Sequence, residues 1–176
     1  VKIDSDTGLL PILDKREIAF VGGQDCARGY ALAIQGGRLV FQMADGTGSP
    51  CQTAYTGSTA LTTGVWHLVG VSVPRCQAAG SGFIYVDGKI DGVIVPRTGS
   101  IENTNSLFIG RNAGSGAAGF SYFRGCMDEL EFFKRALSKA ELDAIYQAGS
   151  AGKCKTPNCI RMDCPTESTA TTSSNC

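Results

Sequence analysis

The sequence predicts an all-β sandwich or barrel, with one short helix near its C-terminal end and a cysteine-rich tail after it. Three observations carry this. Short apolar runs recur about every ten residues with turn residues between them, the spacing of an all-β domain rather than of βαβ units. Glycine supplies 23 of the 176 residues, roughly double its usual share of about 7%, so many tight turns are implied. In the stretch from Phe120 to Gly149 a period of two gives way to a short capped helix.

Taken in chain order, Leu9 to Leu13 and Ile18 to Val21 read as short strands around the polar group Asp14, Lys15, Arg16 and Glu17. Tyr30 to Ile34 and Leu39 to Met43 form a hairpin through Gly36 and Gly37, a pair that tolerates the positive φ of a two-residue turn. Asp45 to Ser49 is a Gly-rich loop. Trp66 to Val73 is a strand with Trp66 and Leu68 on one face and His67, Val69, Val71 and Val73 on the other, both faces largely buried. Phe83 to Val86 and Ile90 to Val95 flank Asp87 and Gly88, a strong hairpin signal. Leu107 to Ile109 is a short strand ended by Gly110.

From Cys126 an extended strand places Asp128, Leu130 and Phe132 on one side and Glu129, Glu131 and Phe133 on the other. The period then changes. Ser138 and Glu141 make a capping box, Leu142, Ile145 and Tyr146 an apolar stripe, and Gly149 supplies a left-handed stop. Beyond Gly152 the composition turns polar, and Thr166 to Ser174 is mostly Ser and Thr. Such a segment lacks the apolar area to offset its ordering entropy, so disulfides or a partner must hold it. One globular unit over residues 1–150 and a tail or linker over 151–176 are expected.

Sixteen basic residues balance sixteen acidic ones, so no field draws in phosphate backbones, and nucleic acid is not expected as a partner. No apolar run is long enough to span a bilayer. No signal peptide is present, and the opening Val suits a processed product or a fragment. Eight cysteines, at 26, 51, 76, 126, 154, 159, 164 and 176, include no CxxC pair, and there is a single histidine. Disulfides in an oxidising compartment are expected rather than zinc. We expect the four globular cysteines to pair among themselves and the four tail cysteines likewise.

In that order, WHLVGVSV, FIYVDGKIDG, LFIGR and FRGCMDELEFFKRALSKAELDAIY resemble the laminin-G-like jelly rolls within the concanavalin A-like lectin and glucanase superfamily, over about residues 10 to 150. The resemblance implies an antiparallel two-sheet β-sandwich, secreted or on the cell surface, that binds glycans or other extracellular proteins, often near calcium. One departure is visible. Val1, Lys2 and Ile3 look like the second half of a strand that in this family usually follows a further N-terminal stretch, so strand addition or self-association at an open sheet edge is an alternative.

Catalysis would need paired carboxylates, since relatives hydrolyse glucans with two on one strand. Glu129 and Glu131 share a face at about 7 Å. The Glu-x-Asp-x-x-Glu motif does not occur, however, so no catalytic residue is assigned. His67, the only histidine, is expected to be packed and hydrogen-bonded beside Trp66. The resemblance makes Asp128 the candidate ligand for a structural Ca2+, the one cofactor expected. Asp45, Asn103, Asn105 and Asn112 are loop residues that could gather at one rim, and Tyr55 and Tyr122 are loop aromatics able to stack on sugar rings. The expected role is a non-catalytic extracellular recognition module for carbohydrate. The alternatives are a structural subunit of an extracellular assembly joined by strand exchange and disulfides, and, less favoured, a glycoside hydrolase.

Overall fold

The structure, a computed structural model, describes residues 1–21, 24–47, 52–75, 80–114, 121–149 and 160–161, with the backbone alone at 19–21, 24–26 and 160–161. One sheet has five strands in the order β5-β4-β3-β2-β9, formed by Leu9–Val21 (β2), Gln24–Gln35 (β3), Arg38–Asp45 (β4), Thr53–Ala60 (β5) and Phe108–Ile109 (β9). Opposite it lie Val69–Ser72 (β6), Gly82–Val86 (β7) and Lys89–Ile94 (β8), in the order β6-β7-β8. Lys2–Ile3 (β1), Gly125–Met127 (β10) and Ile160–Arg161 (β11) make a third set in the order β1-β10-β11, tied to the β6 side by a bridge between Lys2 and Trp66. Every strand pairing is antiparallel. The architecture is the expected antiparallel β-sandwich, with one helix among the described residues, Lys139–Ala148 (α1).

Its core is the interior between the layers. Leu10, Ile12, Leu13, Leu32, Ile34, Leu39, Phe41 and Met43 come from the five-stranded sheet, and Ile3, Ile84, Val86, Ile94 and Phe123 from the opposite side. Removing each of these side chains from water contributes about 2 kcal/mol before entropy is charged. Both hairpins form as the sequence predicts. Gly36 and Gly37 have φ of +56° and +72°, and Asp87 and Gly88 have +50° and +74°, the paired positive values of a two-residue turn whose twist matches its strands.

Several local expectations are corrected. Leu9–Leu13 and Ile18–Val21 are not separate strands, because the polar group between them lies inside the single long strand β2. The register shifts between Pro11 and Leu13, so Ile12 is an extra residue. This bulge sends both Ile12 and Leu13 into the core and turns Asp14 onto the outer face. The strand after Cys126 stops at Met127, since Glu129 has φ +52° and breaks the alternation. Leu130, Phe132 and Phe133 are accordingly exposed. Trp66, expected to be buried, is 47% exposed, and regular pairing begins only at Val69. β5 carries few large apolar residues and was not anticipated; it places Tyr55 in a strand, opposite Phe41, rather than in a loop.

The capping box is present. Glu141 N–H donates to Ser138 Oγ at 3.3 Å, and Ser138 N–H donates to the Glu141 carboxylate at 2.9 Å. α1 ends at Gly149 with φ +47°, and Leu142 and Ile145 are half-buried. Ile160 and Arg161, from the segment expected to be tail, pair with Met127 and Cys126. The expected cysteine grouping involves side chains outside the described residues, apart from the buried Cys126. Among the described residues no helix is long and apolar enough to cross a membrane.

Candidate ligand-recognition face

The outer face of the five-stranded sheet is built by strand register. Phe108, Asp14, Ala31, Gln42 and Ala54 stand directly opposite one another across β9, β2, β3, β4 and β5, on the side away from Leu13, Leu32 and Phe41. Two residues along β2, on the same face, is Arg16.

The side chains of Asp14 and Arg16 are 1% and 16% exposed. Arg16 Nε donates to Asp14 Oδ1 at 2.8 Å and Nη2 to Oδ2 at 2.5 Å, the two-pronged fit of a guanidinium on a carboxylate. Arg16 N–H and Ala113 N–H donate to the same carboxylate at 3.0 and 2.9 Å, so four donors hold a charge that would otherwise be costly to bury. The remaining Nη1 donates to Gln42 Oε1, fixing the amide plane. At the β9 edge the Arg111 guanidinium lies 3.8 Å from the Phe108 ring centroid, a stacked cation–π contact. Tyr122 stands opposite Arg111 in an isolated bridge. The result is a small-residue floor at Ala31 and Ala44 with a carboxylate, a guanidinium, an amide and aromatic rings held on rigid strands.

Of the loop residues singled out in the sequence, Asn103 and Asn105 converge on this part of β2. Asn103 Nδ2 donates to Lys15 O at 2.8 Å and to Arg28 O at 2.9 Å, and Asn105 Nδ2 donates to Arg16 O at 2.9 Å. Asn105 N–H donates to Asn103 Oδ1, and the Lys15 ammonium donates to Asn103 O, Asn103 Oδ1 and Asn105 O. These asparagines therefore clasp the strand from a loop. Asn112 Oδ1 accepts from Ser121 N–H at 2.9 Å, which shapes the loop whose Ala113 reaches Asp14.

Asp45, at the end of β4, accepts from Thr47 N–H, Thr47 Oγ1 and Gly99 N–H. Burial opposes ionisation of its carboxyl, but these hydrogen bonds and Arg97 outweigh burial and hold it below the ordinary carboxylate range. Tyr55 donates its hydroxyl to Val95 O at 2.7 Å, along the side where β5 meets β8. His67 is packed and hydrogen-bonded as expected, between Asp87 and Thr62.

Glu129 and Glu131 do not form a strand pair, because Glu129 lies outside β10 with positive φ. Asp128 is exposed and accepts from Glu129 N–H, and among the described residues no three His, Cys, Asp or Glu side chains converge. That donor set does not by itself make a calcium site, which takes about six to eight oxygens.

Sequence reasoning passed over Asp14, Arg16 and Gln42. The available signal was an acid and a base two apart between apolar runs, which reads as a break unless a strand continues through it.

A laminin G family model, described as the concanavalin A-like lectin/glucanases superfamily, matches residues 1–143. The chain belongs to this superfamily. Among solved structures, the laminin-G-like domain is similar to the 2.1 Å crystal structure of an S-layer domain-containing protein (residues 221–444) from Clostridium thermocellum, at 23% identity and a TM-score of 0.40, over 83% of this chain. It spans 66% of the length of that solved chain. No curated protein matches it.

Proposed function

We propose that this laminin-G-like domain is a non-catalytic extracellular recognition module that binds carbohydrate on the face built by Asp14, Arg16 and Gln42. The observation that carries the reading is the hydrogen-bonded network of those three residues beside Phe108, Arg111 and Tyr122. Sugars present hydroxyl edges and apolar ring faces, and fixed polar groups next to aromatic rings recognise both without ordering cost at the moment of binding. A catalytic role is disfavoured because Asp14 is saturated by four donors and the other carboxylate of β2, Glu17, alternates to the opposite side. Cys126, buried and disulfide-bonded, supports an oxidising and hence secreted or surface location.

A glycan array with and without chelator tests the reading. Binding is expected to at least one glycan class, with loss on Gln42→Ala and Tyr122→Ala while the melting temperature is retained. Uniform silence in the parent protein under both conditions defeats it. The chelator arm also tests calcium at Asp128, whose further oxygens would come from outside the described residues. Turnover of any member of a glucan panel would restore the hydrolase reading. The structural-assembly reading is favoured by Val93 and Val95, apolar side chains exposed on and just beyond β8. A monomer in sedimentation at high concentration removes it.

A further inference from the structure

The sole histidine and the sole tryptophan of the chain are adjacent, and His67 is held at both ring nitrogens. Thr62 N–H donates to His67 Nε2 at 3.1 Å. A backbone amide can only donate, so Nε2 is unprotonated there and the ring proton sits on Nδ1, donating to Asp87 Oδ2 at 2.8 Å. Asp87 is itself fixed, because its other oxygen accepts from Leu68 N–H at 3.0 Å and its own N–H donates to Leu68 O. The neutral imidazole is thus a bridge from the β7–β8 turn to the segment that begins at Thr62.

That segment docks β1. Gly64 N–H donates to Ile3 O, His67 N–H donates to Val1 O, and Trp66 bridges Lys2. Among the described residues, the charged and titratable groups near the imidazole come from the β7–β8 turn and from β1. Asp87 comes from the hairpin turn; Lys2 of β1 has its ammonium 5.7 Å from the Trp66 ring; and the Val1 ammonium, which donates to His67 O, is pushed down to about 6 by burial, against the pull of Asp128 and Asp87. Residues 61–64 carry no charge.

We propose that His67 is a proton-operated clasp that loosens the Thr62–Trp66 segment, and with it the seam between β1 and β6, when its imidazole takes up a second proton. A proton arriving at Nε2 occupies the lone pair that Thr62 N–H uses and turns an acceptor into a donor facing a donor. The contact to Asp87 survives and becomes an ion pair, so the imidazole stays with the hairpin while Thr62 is released. Trp66, exposed and tied to Lys2, moves with the released segment.

Trp66 fluorescence followed from neutral to mildly acid pH at constant ionic strength reads this directly, because no other tryptophan contributes. A pH-dependent change is expected in the parent protein and a smaller one, left by the Val1 ammonium alone, in His67→Gln; a flat parent trace, or the same change in the variant, overturns the clasp. If His67→Gln does not fold, nitrogen NMR of the parent decides. Nε2 is expected bare at neutral pH, with loss of Thr62 amide protection as it protonates, and a proton found on Nε2 at neutral pH overturns the proposal.

Discussion

The two outer faces of the sandwich are finished in opposite ways. On the β6-β7-β8 side, Phe83 and Tyr85 meet edge to face at 6.3 Å. Ser72 Oγ donates to Leu137 O at 2.6 Å, and α1 sits against the hairpin turn. Burial there pushes the Tyr85 hydroxyl upward in pKa. Among the described residues no helix lies over the β2-β3-β4 side; its central groups are Asp14, Arg16 and Gln42, held by one another and by loop amides. One face is closed by the chain's own apolar and backbone groups, whereas the other keeps ionic and amide groups in fixed positions.

The largest expected effect breaks the polar face. Asp14→Ala leaves the Arg16 guanidinium without its carboxylate and Ala113 N–H without an acceptor, a loss of about 3 kcal/mol by urea unfolding. A loss no greater than that of an ordinary surface change would make the network incidental.

Next comes the covered face. Gly88 has φ +74°, and a Cβ there would stand 3.0 Å from Tyr146 Cβ, so Gly88→Ala strains the turn and pushes on the helix. About 2 kcal/mol is expected, read as a lower melting temperature together with faster amide exchange in α1. Ser72→Ala removes one buried hydrogen bond and should lower stability by about 1 kcal/mol. Neither variant should alter glycan binding if the two faces are independent.

The smallest effect is electrostatic and local. The hydrogen bond from Arg135, then those from Ser138, lower the Glu141 carboxyl from 4.5 to about 2. A depressed carboxylate stabilises the fold fully above its unfolded pKa, so the cap is intact above pH 4.5 and is lost as pH falls through about 2. Amide exchange at the first turn of α1 should rise over that window and respond to salt, because both partners face solvent.

Much of the architecture was legible because its signals are local. Asp87-Gly88 and Gly36-Gly37 specify turns through the φ values they tolerate, and Ser138 with Glu141 starts the helix through hydrogen bonds spanning three residues. β5 escaped notice because its Thr-, Ser- and Ala-rich sequence carries no apolar alternation, and its pairing with β4 comes from register alone. Asn103 and Asn105 were singled out as candidate ligand contacts, whereas the partners they have in the fold are the Lys15, Arg16 and Arg28 carbonyls far away in sequence.

By itself the sequence determined the sandwich class, both hairpins, the capped helix and the family, since each depends on neighbours within a few positions or on an ordered series of motifs. The tertiary structure alone decided which side of the sheet Asp14 faces. A one-residue bulge at Ile12 reverses every side chain after it, and that bulge exists only because β2 must bury Leu10, Ile12 and Leu13 together against strands distant in the chain.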